Sequence, residues 1–233
     1  MLFRRKFILF FLIAIVTCSL IITGCQKDGA IEWNGGSYLG QTQDNKPHGE
    51  GIWTHPDGEE YEGEWVEGRM EGYGIYSWPA GTIYEGEFVG NERHGFGKLV
   101  RSDGLIYEGD WADGKRSGKG SWSHPDGATY DGEFYDNMFH GQGKCTLPDG
   151  SRYEGEFKYK YYHGRGVYIW ADGSRYEGEF IGGERHGYGI YTEPGGLKYE
   201  GEFKYDQYHG EGKMIHPDGT IQEGIWENGV FLE

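Results

Sequence analysis

The sequence predicts an all-β fold, an elongated single-layer antiparallel sheet built from tandem 23-residue β-hairpins. Three observations support this prediction. Glycine accounts for 44 residues, aromatic residues make up 17% of the chain, and a motif of tyrosine, glycine and a second aromatic residue recurs every 23 residues. A glycine-rich acidic chain could instead be disordered, but 19 Tyr, 12 Phe and 8 Trp are more rings than disordered segments carry.

The 23-residue register runs along the chain without a slip. Each unit starts with tyrosine, has glycine two residues later and, in most units, an aromatic residue four residues later. We number positions within a unit as offsets from this tyrosine. The starting residues are Tyr38, Tyr61, Tyr84, Tyr107, Tyr130, Tyr153, Tyr176 and Tyr199, and Gln222 opens a shorter last unit. Residues 38–233 are therefore assigned to an array of eight full units and a truncated C-terminal unit.

Each unit reads as two short strands and two turns. Tyr-Glu-Gly-Glu-aromatic alternates with period two, which is typical of a strand with two different faces. Stretches such as Pro56-Asp57-Gly58 close the units, because proline presets φ and glycine accepts positive φ. Strands of about eight residues joined by tight turns leave no room for crossover helices. The sequence therefore predicts antiparallel pairing throughout.

Parity sorts the side chains onto two faces. The starting tyrosine, the glycine and the second aromatic residue share what we call the ring face, and the carboxylates at offsets one and three form the carboxylate face. On the second strand, both glycines of a Gly-x-Gly at offsets eleven and thirteen are predicted to lie under rings from a neighbouring strand. The carboxylates are predicted to be partly neutralised by basic residues at offsets fourteen and twenty-two, namely Lys98, Lys144, Lys213, Arg152, Arg175 and Lys198.

The N-terminus has the layout of a secretory signal. Met1–Lys6 is basic, and the 16 residues of Phe7–Ile22 are almost wholly apolar. A retained transmembrane anchor is the alternative, but this run is shorter than the ~20 apolar residues that usually span a bilayer. Residues 1–24 are therefore predicted to be a cleaved signal peptide.

The end of this segment, Ile22-Thr23-Gly24-Cys25, resembles the lipobox of bacterial lipoproteins. The resemblance implies cleavage before Cys25 and a diacylglyceryl group on its thiol, which would anchor the chain to a membrane without spanning it. Gln26 replaces the aspartate that would resemble an inner-membrane retention signal, which favours the outer membrane if the host has one. Residues 25–37 are then the lipidated N-terminus and a linker with one partial unit, Asn34-Gly35-Gly36-Ser37. Cys145 is left without a disulfide partner.

The repeat unit itself resembles a known family. Tyr-Glu-Gly-Glu-Trp/Phe-x-x-Gly-x-x-His-Gly-x-Gly, with a later Asp-Gly in a 23-residue frame, is similar to the MORN repeat over about 195 of the 233 residues. The resemblance implies a twisted sheet with one concave, aromatic-lined face and a role in protein assembly or dimerisation. The first and last units depart from the motif, as capping units do. Met70-Glu71-Gly72 and Arg116-Ser117-Gly118 lack the histidine.

Net charge excludes two classes of partner. The chain carries −16, and without the signal peptide's three cations 19 basic residues stand against 38 acidic ones, a formal charge of −19. Such a charge repels polyanions at neutral pH. We therefore expect no nucleic-acid binding and no specific binding of anionic lipid headgroups.

The polar residues do not predict catalysis, a cofactor or a metal site. Histidines in the His-Gly slot belong to hairpins roughly 10 Å apart, too far to share a zinc ion with Zn–N bonds of ~2 Å, so a hydrogen-bonding role in turns is preferred. They are His48, His94, His140, His163, His186 and His209, and the same role is expected for His55, His124 and His216. Repeated solvated carboxylate pairs differ from the single pair of a glycosidase. Cys145 is expected to be a packed thiol.

The predicted function is a membrane-anchored lipoprotein of the cell envelope, facing outside the cytoplasm, that binds another protein or a second copy of itself. Exposed edge strands and rows of rings are natural association surfaces. Glycan or cell-wall binding by the rings is the alternative. The candidate contact residues on the ring face are Tyr61, Trp65, Tyr84, Phe88, Tyr107, Trp111, Tyr153, Phe157 and Tyr176. The alternative, which is favoured for most of them, is that these rings only stack on glycines. Further candidates are Tyr159, Tyr161 and Tyr205, where bulky rings occupy hairpin turns.

Overall fold

The computed structural model describes residues 29–232, so the predicted signal peptide and Cys25 lie outside the described residues. Within this range the chain forms a single sheet of 19 strands. The strands are β1 Ile31–Trp33, β2 Gly36–Gln43, β3 Lys46–Thr54, β4 Glu60–Val66, β5 Arg69–Ser77, β6 Ile83–Val89, β7 Glu92–Val100, β8 Ile106–Ala112, β9 Lys115–Ser123, β10 Thr129–Tyr135, β11 Met138–Thr146, β12 Arg152–Lys158, β13 Tyr161–Ile169, β14 Arg175–Ile181, β15 Glu184–Thr192, β16 Lys198–Lys204, β17 Gln207–Ile215, β18 Ile221–Glu227 and β19 Val230–Phe231.

Every strand pairs antiparallel with the next strand along the chain, so the sheet is an open meander. The predicted all-β, single-layer antiparallel architecture is confirmed. Between residues 29 and 232 the chain contains no helix long and apolar enough to cross a membrane.

The sheet begins earlier than the sequence predicted. β1 lies inside the segment assigned as a linker, and it pairs with the start of β2 through Ile31–Tyr38 and Trp33–Gly36. The Trp33 indole N–H donates to the Gly68 carbonyl oxygen at 3.1 Å, which links β1 to the turn between β4 and β5. Asn34 and Gly35 form the tight turn with positive φ. A partial unit therefore caps the N-terminal end of the array.

A β-bulge interrupts most hairpins at the Gly-x-Gly motif. In the β10–β11 hairpin, Gly132 pairs with Gly143 but Glu133 pairs with His140, so two residues of β11 are left over. The first of them, Gly141, has a φ of +57°, and a Cβ there would meet the Glu133 carboxylate. The prediction that both glycines lie under rings is therefore wrong for the first one, because the bulge turns it toward the carboxylate face.

The second glycine does lie under a ring. A Cβ on Gly143 would collide with the ring and hydroxyl of Tyr130. From Tyr61 onward, each starting tyrosine also packs edge-to-face against the second aromatic residue of its own unit and of the next, as Tyr107 does with Trp111 at 5.1 Å and Phe134 at 4.9 Å between centroids. A continuous row of rings therefore replaces the second layer that a sandwich would supply.

Candidate functional site

The nine ring-face residues predicted to bind a partner are all buried. Their exposed fractions lie between 0% and 4%. They contact one another and the glycine backbone, and they form the core of the protein. Within residues 29–232 they present no ring surface that a partner could reach, so on this face only residues that lie above them are accessible.

The starting tyrosines hold the bulges in place. The Tyr130 hydroxyl donates to the carbonyl oxygens of Glu133 at 2.8 Å and His140 at 3.2 Å. Burial raises the pKa of Tyr38 and of Tyr199 to about 12, with smaller contributions from neighbouring acidic groups. These phenols therefore stay protonated and act as hydrogen-bond donors.

From Tyr84 onward, the residue at offset nine covers the starting tyrosine of its unit, a role that the repeat pattern did not predict. Phe139 stacks on Tyr130 with centroids 3.8 Å apart, and Tyr162 stacks on Tyr153 at 4.0 Å. Arginine takes this place in three units, at Arg93, Arg116 and Arg185. Aromatic side chains and guanidinium groups can both pack flat on a ring. The sequence feature that could have identified these covering residues is therefore their shared offset, because they do not share a residue type.

Three candidates in the hairpin turns are exposed. Tyr159, Tyr161 and Tyr205 have exposed fractions of 47%, 51% and 65%, and Tyr135, at the end of β10, has 56%. The Tyr135 and Tyr159 ring centroids lie 6.4 Å apart. We call these four residues the tyrosine edge, because all of them lie where the hairpins turn from the first strand to the second.

Two members of the tyrosine edge have a backbone conformation that suits glycine or asparagine better. Tyr159 has a φ of +49° and Tyr205 a φ of +51°, followed by Lys160 at +73° and Asp206 at +64°. These are the two central residues of tight hairpin turns, for which Asn-Gly is preferred. Non-glycine residues in this region, bulky ones above all, carry strain of about 1 kcal/mol or more.

The carboxylate face contains the larger clefts. Two clefts of about 600 Å³ each lie side by side over β7–β13 and share residues that include Glu108, Asp131, Lys144 and Glu154. The ring face has one of about 420 Å³. The rings of the predicted aromatic-lined face are packed against one another, so the larger open clefts lie on the opposite face.

Ion pairs cross the carboxylate face largely as predicted. Lys144 Nζ lies 2.9 Å from Glu154 Oε1, and Lys213 and Lys198 pair with Glu223 and Glu200 at 2.6 and 2.8 Å. These exposed pairs each contribute at most about 1 kcal/mol. Hydrophobic rings also lie on this face at offset twelve, including Phe96 and Tyr188, each 54% exposed.

The carboxylates at offset three have a structural task. Glu133 Oε1 accepts the Gln142 backbone N–H at 3.2 Å, and Asp110 Oδ2 accepts that of Lys119 at 2.8 Å. These amides lie at the bulge, where the regular ladder between strands is broken. The carboxylate supplies the acceptor that the facing strand no longer offers.

Two of the histidines that precede proline, His55 and His124, stabilise turns. Asp57 N–H donates to His55 Nδ1 at 3.2 Å, and Asp126 N–H to His124 Nδ1 at 3.4 Å. In the His-Gly slot it is the histidine backbone carbonyl oxygen, and not the ring, that accepts the hydrogen bond from the starting tyrosine, as in His163 and His186. The ring Nδ1 atoms of His48 and His140 are buried and have no hydrogen-bond partner. In residues 29–232 no three His, Cys, Asp or Glu side chains converge as metal ligands would.

Cys145 is packed in the ring core. Its thiol is 3.7 Å from the Tyr162 hydroxyl, and burial raises its pKa. A thiol held in its neutral form is a poor nucleophile. This placement agrees with the structural role that the sequence predicts.

Comparison with solved structures found partial similarity to two related domains. The TCP10 domain of Danio rerio CPAP matches with a TM-score of 0.44 and 12% identity, covering 86% of this chain and 98% of that chain. The SAS-4 (dCPAP) TCP domain of Drosophila melanogaster, in complex with a proline-rich motif of Ana2 (dSTIL), matches with a TM-score of 0.40 and 15% identity, covering 66% and 85%.

Comparison with curated protein sequences found no match. A protein-family model, by contrast, matches the chain in eight consecutive segments that coincide with the hairpins. The description of this model is "MORN repeat", and it covers residues 38–60, 61–83, 84–106, 107–129, 130–152, 153–175, 176–197 and 199–221. The chain therefore belongs to the MORN repeat family, and its tandem hairpins form a repeat scaffold.

Proposed function

We propose that this protein is a lipid-anchored scaffold of the bacterial cell envelope that binds a protein partner, or a second copy of itself, through the tyrosine edge. The observation that carries the proposal is the exposure of Tyr159 and Tyr205 at positions of strained backbone. A turn selected for stability alone would place asparagine or glycine there. Retention of a large exposed ring at both places supports a binding role, since tyrosine is enriched at protein interfaces.

The two ends of the sheet are only partly covered. β1 has three residues and β19 has two, so each pairs with only the nearest part of β2 or β18. The tyrosine edge, in contrast, spans units along one side of the array, and Lys158, Lys160 and Lys204 lie beside its rings. These cations offset the acidic charge of the chain at this edge.

Anchoring is proposed on the order of the N-terminal segments alone. A basic start, an apolar run and Ile22-Thr23-Gly24-Cys25 support lipidation of Cys25. With Gln26 after the cysteine, the expected place is the outer membrane of a Gram-negative host, on the side away from the cytoplasm. No catalytic activity or cofactor is part of the proposal.

Cross-linking from membranes tests the binding edge. A photoreactive residue at position 159 or 205 should capture a discrete protein, or a second copy, and Tyr159→Asn with Tyr205→Asn should abolish co-purification. Phe96→Ser is the matched control, because Phe96 is about as exposed but lies on the carboxylate face. Loss of the partner with Phe96→Ser alone would contradict the proposal, as would binding of purified glycan with no protein recovered.

Anchoring has a separate test. Mass spectrometry of the mature N-terminus should show an acylated Cys25, and Cys25→Ala should release the protein from the membrane fraction. An unmodified cysteine, or membrane retention of Cys25→Ala, would contradict lipidation. The role of the tyrosine edge in binding would then be judged by the cross-linking result alone.

A further inference from the structure

The cleft of the ring face is basic, although the chain as a whole is acidic. It has a volume of about 420 Å³ and lies between β7 and β13. Arg93, Arg101, Arg116 and Lys160 line it together with apolar side chains such as Trp111 and Phe139, and its lining contains no carboxylate. Four cations at one cleft of a protein with a net charge of −16 are a local reversal of the charge pattern.

Two of these arginines are held in place without an acidic partner. The guanidinium group of Arg93 lies 4.3 Å from the centroid of the Trp111 ring and donates to the Gly114 carbonyl oxygen at 2.7 Å. Arg116 donates to the Asn137 carbonyl oxygen at 2.9 Å. Within residues 29–232 neither has a carboxylate within ion-pair distance. Their remaining N–H groups have the geometry to receive an oxyanion.

A third arginine at the same offset shows what a paired site looks like. Arg185 also reaches the turn of the next hairpin, but that turn carries Asp206, whose Oδ1 lies 3.1 Å from Arg185 Nε. The equivalent residues are Gly114 for Arg93 and Asn137 for Arg116. The repeat can therefore place a carboxylate beside this arginine, and it does so in one unit while leaving two adjacent units without one.

Crowding of the cations supports an external anion. Burial lowers the pKa of both Arg93 and Arg116, and a neighbouring arginine lowers each further. Half-buried like charges repel each other strongly when no counter-ion is bound. Arg101 adds to the field, although Asp103 pairs with it at 2.7 Å.

We propose that this cleft binds a carboxylate group attached to an apolar or aromatic body, with Arg93 and Arg116 holding the carboxylate and the half-buried Trp122 and Phe139 packing against the body. The volume lies within the range of small-ligand sites. The carboxylate comes from a small organic acid or from an acidic side chain of a protein partner. The cleft borders the tyrosine edge at Lys160, but the inference rests on Arg93 and Arg116 and does not depend on the proposed function.

Calorimetry on the full-length protein in detergent tests the proposal with two pairs of probes. Benzoate should bind at least about tenfold more tightly than neutral benzamide, because charge-assisted hydrogen bonds are lost with the charge. A short peptide with Glu beside Phe is compared in the same way with its Gln counterpart. Tighter binding of the peptide assigns the carboxylate to a protein partner, and tighter binding of benzoate assigns it to a small acid.

Matched variants locate the site. Arg116→Met should weaken binding by about tenfold or more, and Arg185→Met should leave it unchanged. Asn137→Asp places a carboxylate beside Arg116, as Asp206 lies beside Arg185. It should weaken binding by a similar factor. This variant should also keep its fold, so it tests the site even if Arg116→Met unfolds the protein. The proposal is overturned if neither acid binds better than its neutral analogue, if Asn137→Asp binds as the wild type does, or if Arg185→Met loses binding equally.

Discussion

The Tyr130 hydroxyl donates to the Glu133 carbonyl oxygen at 2.8 Å, across the bulge that interrupts its hairpin. The His140 carbonyl oxygen, at 3.2 Å, accepts from the same hydroxyl. One side chain thus satisfies two acceptors at the point where the ladder between β10 and β11 is broken. Comparable bonds recur in the other units, for example from Tyr153 to Glu156 and His163.

Tyr130→Phe should therefore destabilise the fold while leaving its packing intact. The ring stays, but two carbonyl groups lose their donor, and we expect a loss of about 1 kcal/mol in the free energy of unfolding. Urea denaturation followed by circular dichroism measures this change. Tyr135→Phe is the control, because that hydroxyl lies on an exposed ring. Equal stabilities of the two variants would refute the bracing role of the buried phenol.

The second glycine of the motif should tolerate no side chain. A Cβ on Gly143 would overlap the Tyr130 ring, which is fully packed by Phe139 on its other face. Gly143→Ala should cost about 3 kcal/mol, at the upper end of what overpacking costs. Gly195→Ala is the matched control, because nothing lies near its Cβ position, and it should be neutral or slightly stabilising. Thermal melts that rank the two substitutions in the opposite order would disprove ring-on-glycine packing.

Periodicity alone predicted the architecture, since register, parity and turn residues all follow from a strict repeat. It placed the starting tyrosines and second aromatics on the ring face, where the structure has them. It missed the bulge, because Gly141 and Gly143 look equivalent in sequence although only Gly141 has positive φ. It also missed the offset-nine residue: Phe139 and Arg116 belong to different chemical classes, and their common position becomes visible only through the ring each covers.

Tyr205→Asn should stabilise the protein although it removes a large side chain. The ring is 65% exposed, so little buried area is lost, and asparagine accepts the left-handed backbone at φ +51° with less strain. We expect a gain of about 1 kcal/mol in the free energy of unfolding. Tyr135 is similarly exposed but is the last residue of β10. Tyr135→Asn should instead be destabilising, because asparagine is unfavourable in strands. If Tyr205→Asn destabilises the protein, tyrosine is not strained at this position, and the argument from strain for a binding role of Tyr205 fails.

The row of buried phenols should make the fold sensitive to alkali. Burial raises the pKa of Tyr38 and Tyr199 to about 12, and it raises that of Tyr61, Tyr107 and Tyr153 further, whereas an unfolded tyrosine titrates near ~10. A raised folded pKa means that the neutral phenol stabilises the fold fully below pH ~10, and that this stabilisation is lost as the pH rises through 12.

Spectroscopic titration checks this sign. Above pH ~10 the unfolded state gains stability with each phenol that it ionises, so unfolding and ionisation of the buried tyrosines should occur together. The part of the phenolate absorbance that comes from the buried tyrosines and the circular dichroism of the sheet should then change in one cooperative step between pH ~10 and pH 12. Complete ionisation of all tyrosines near pH ~10 with the sheet intact would mean that water reaches the ring core, and it would contradict the packing that these hydroxyls show.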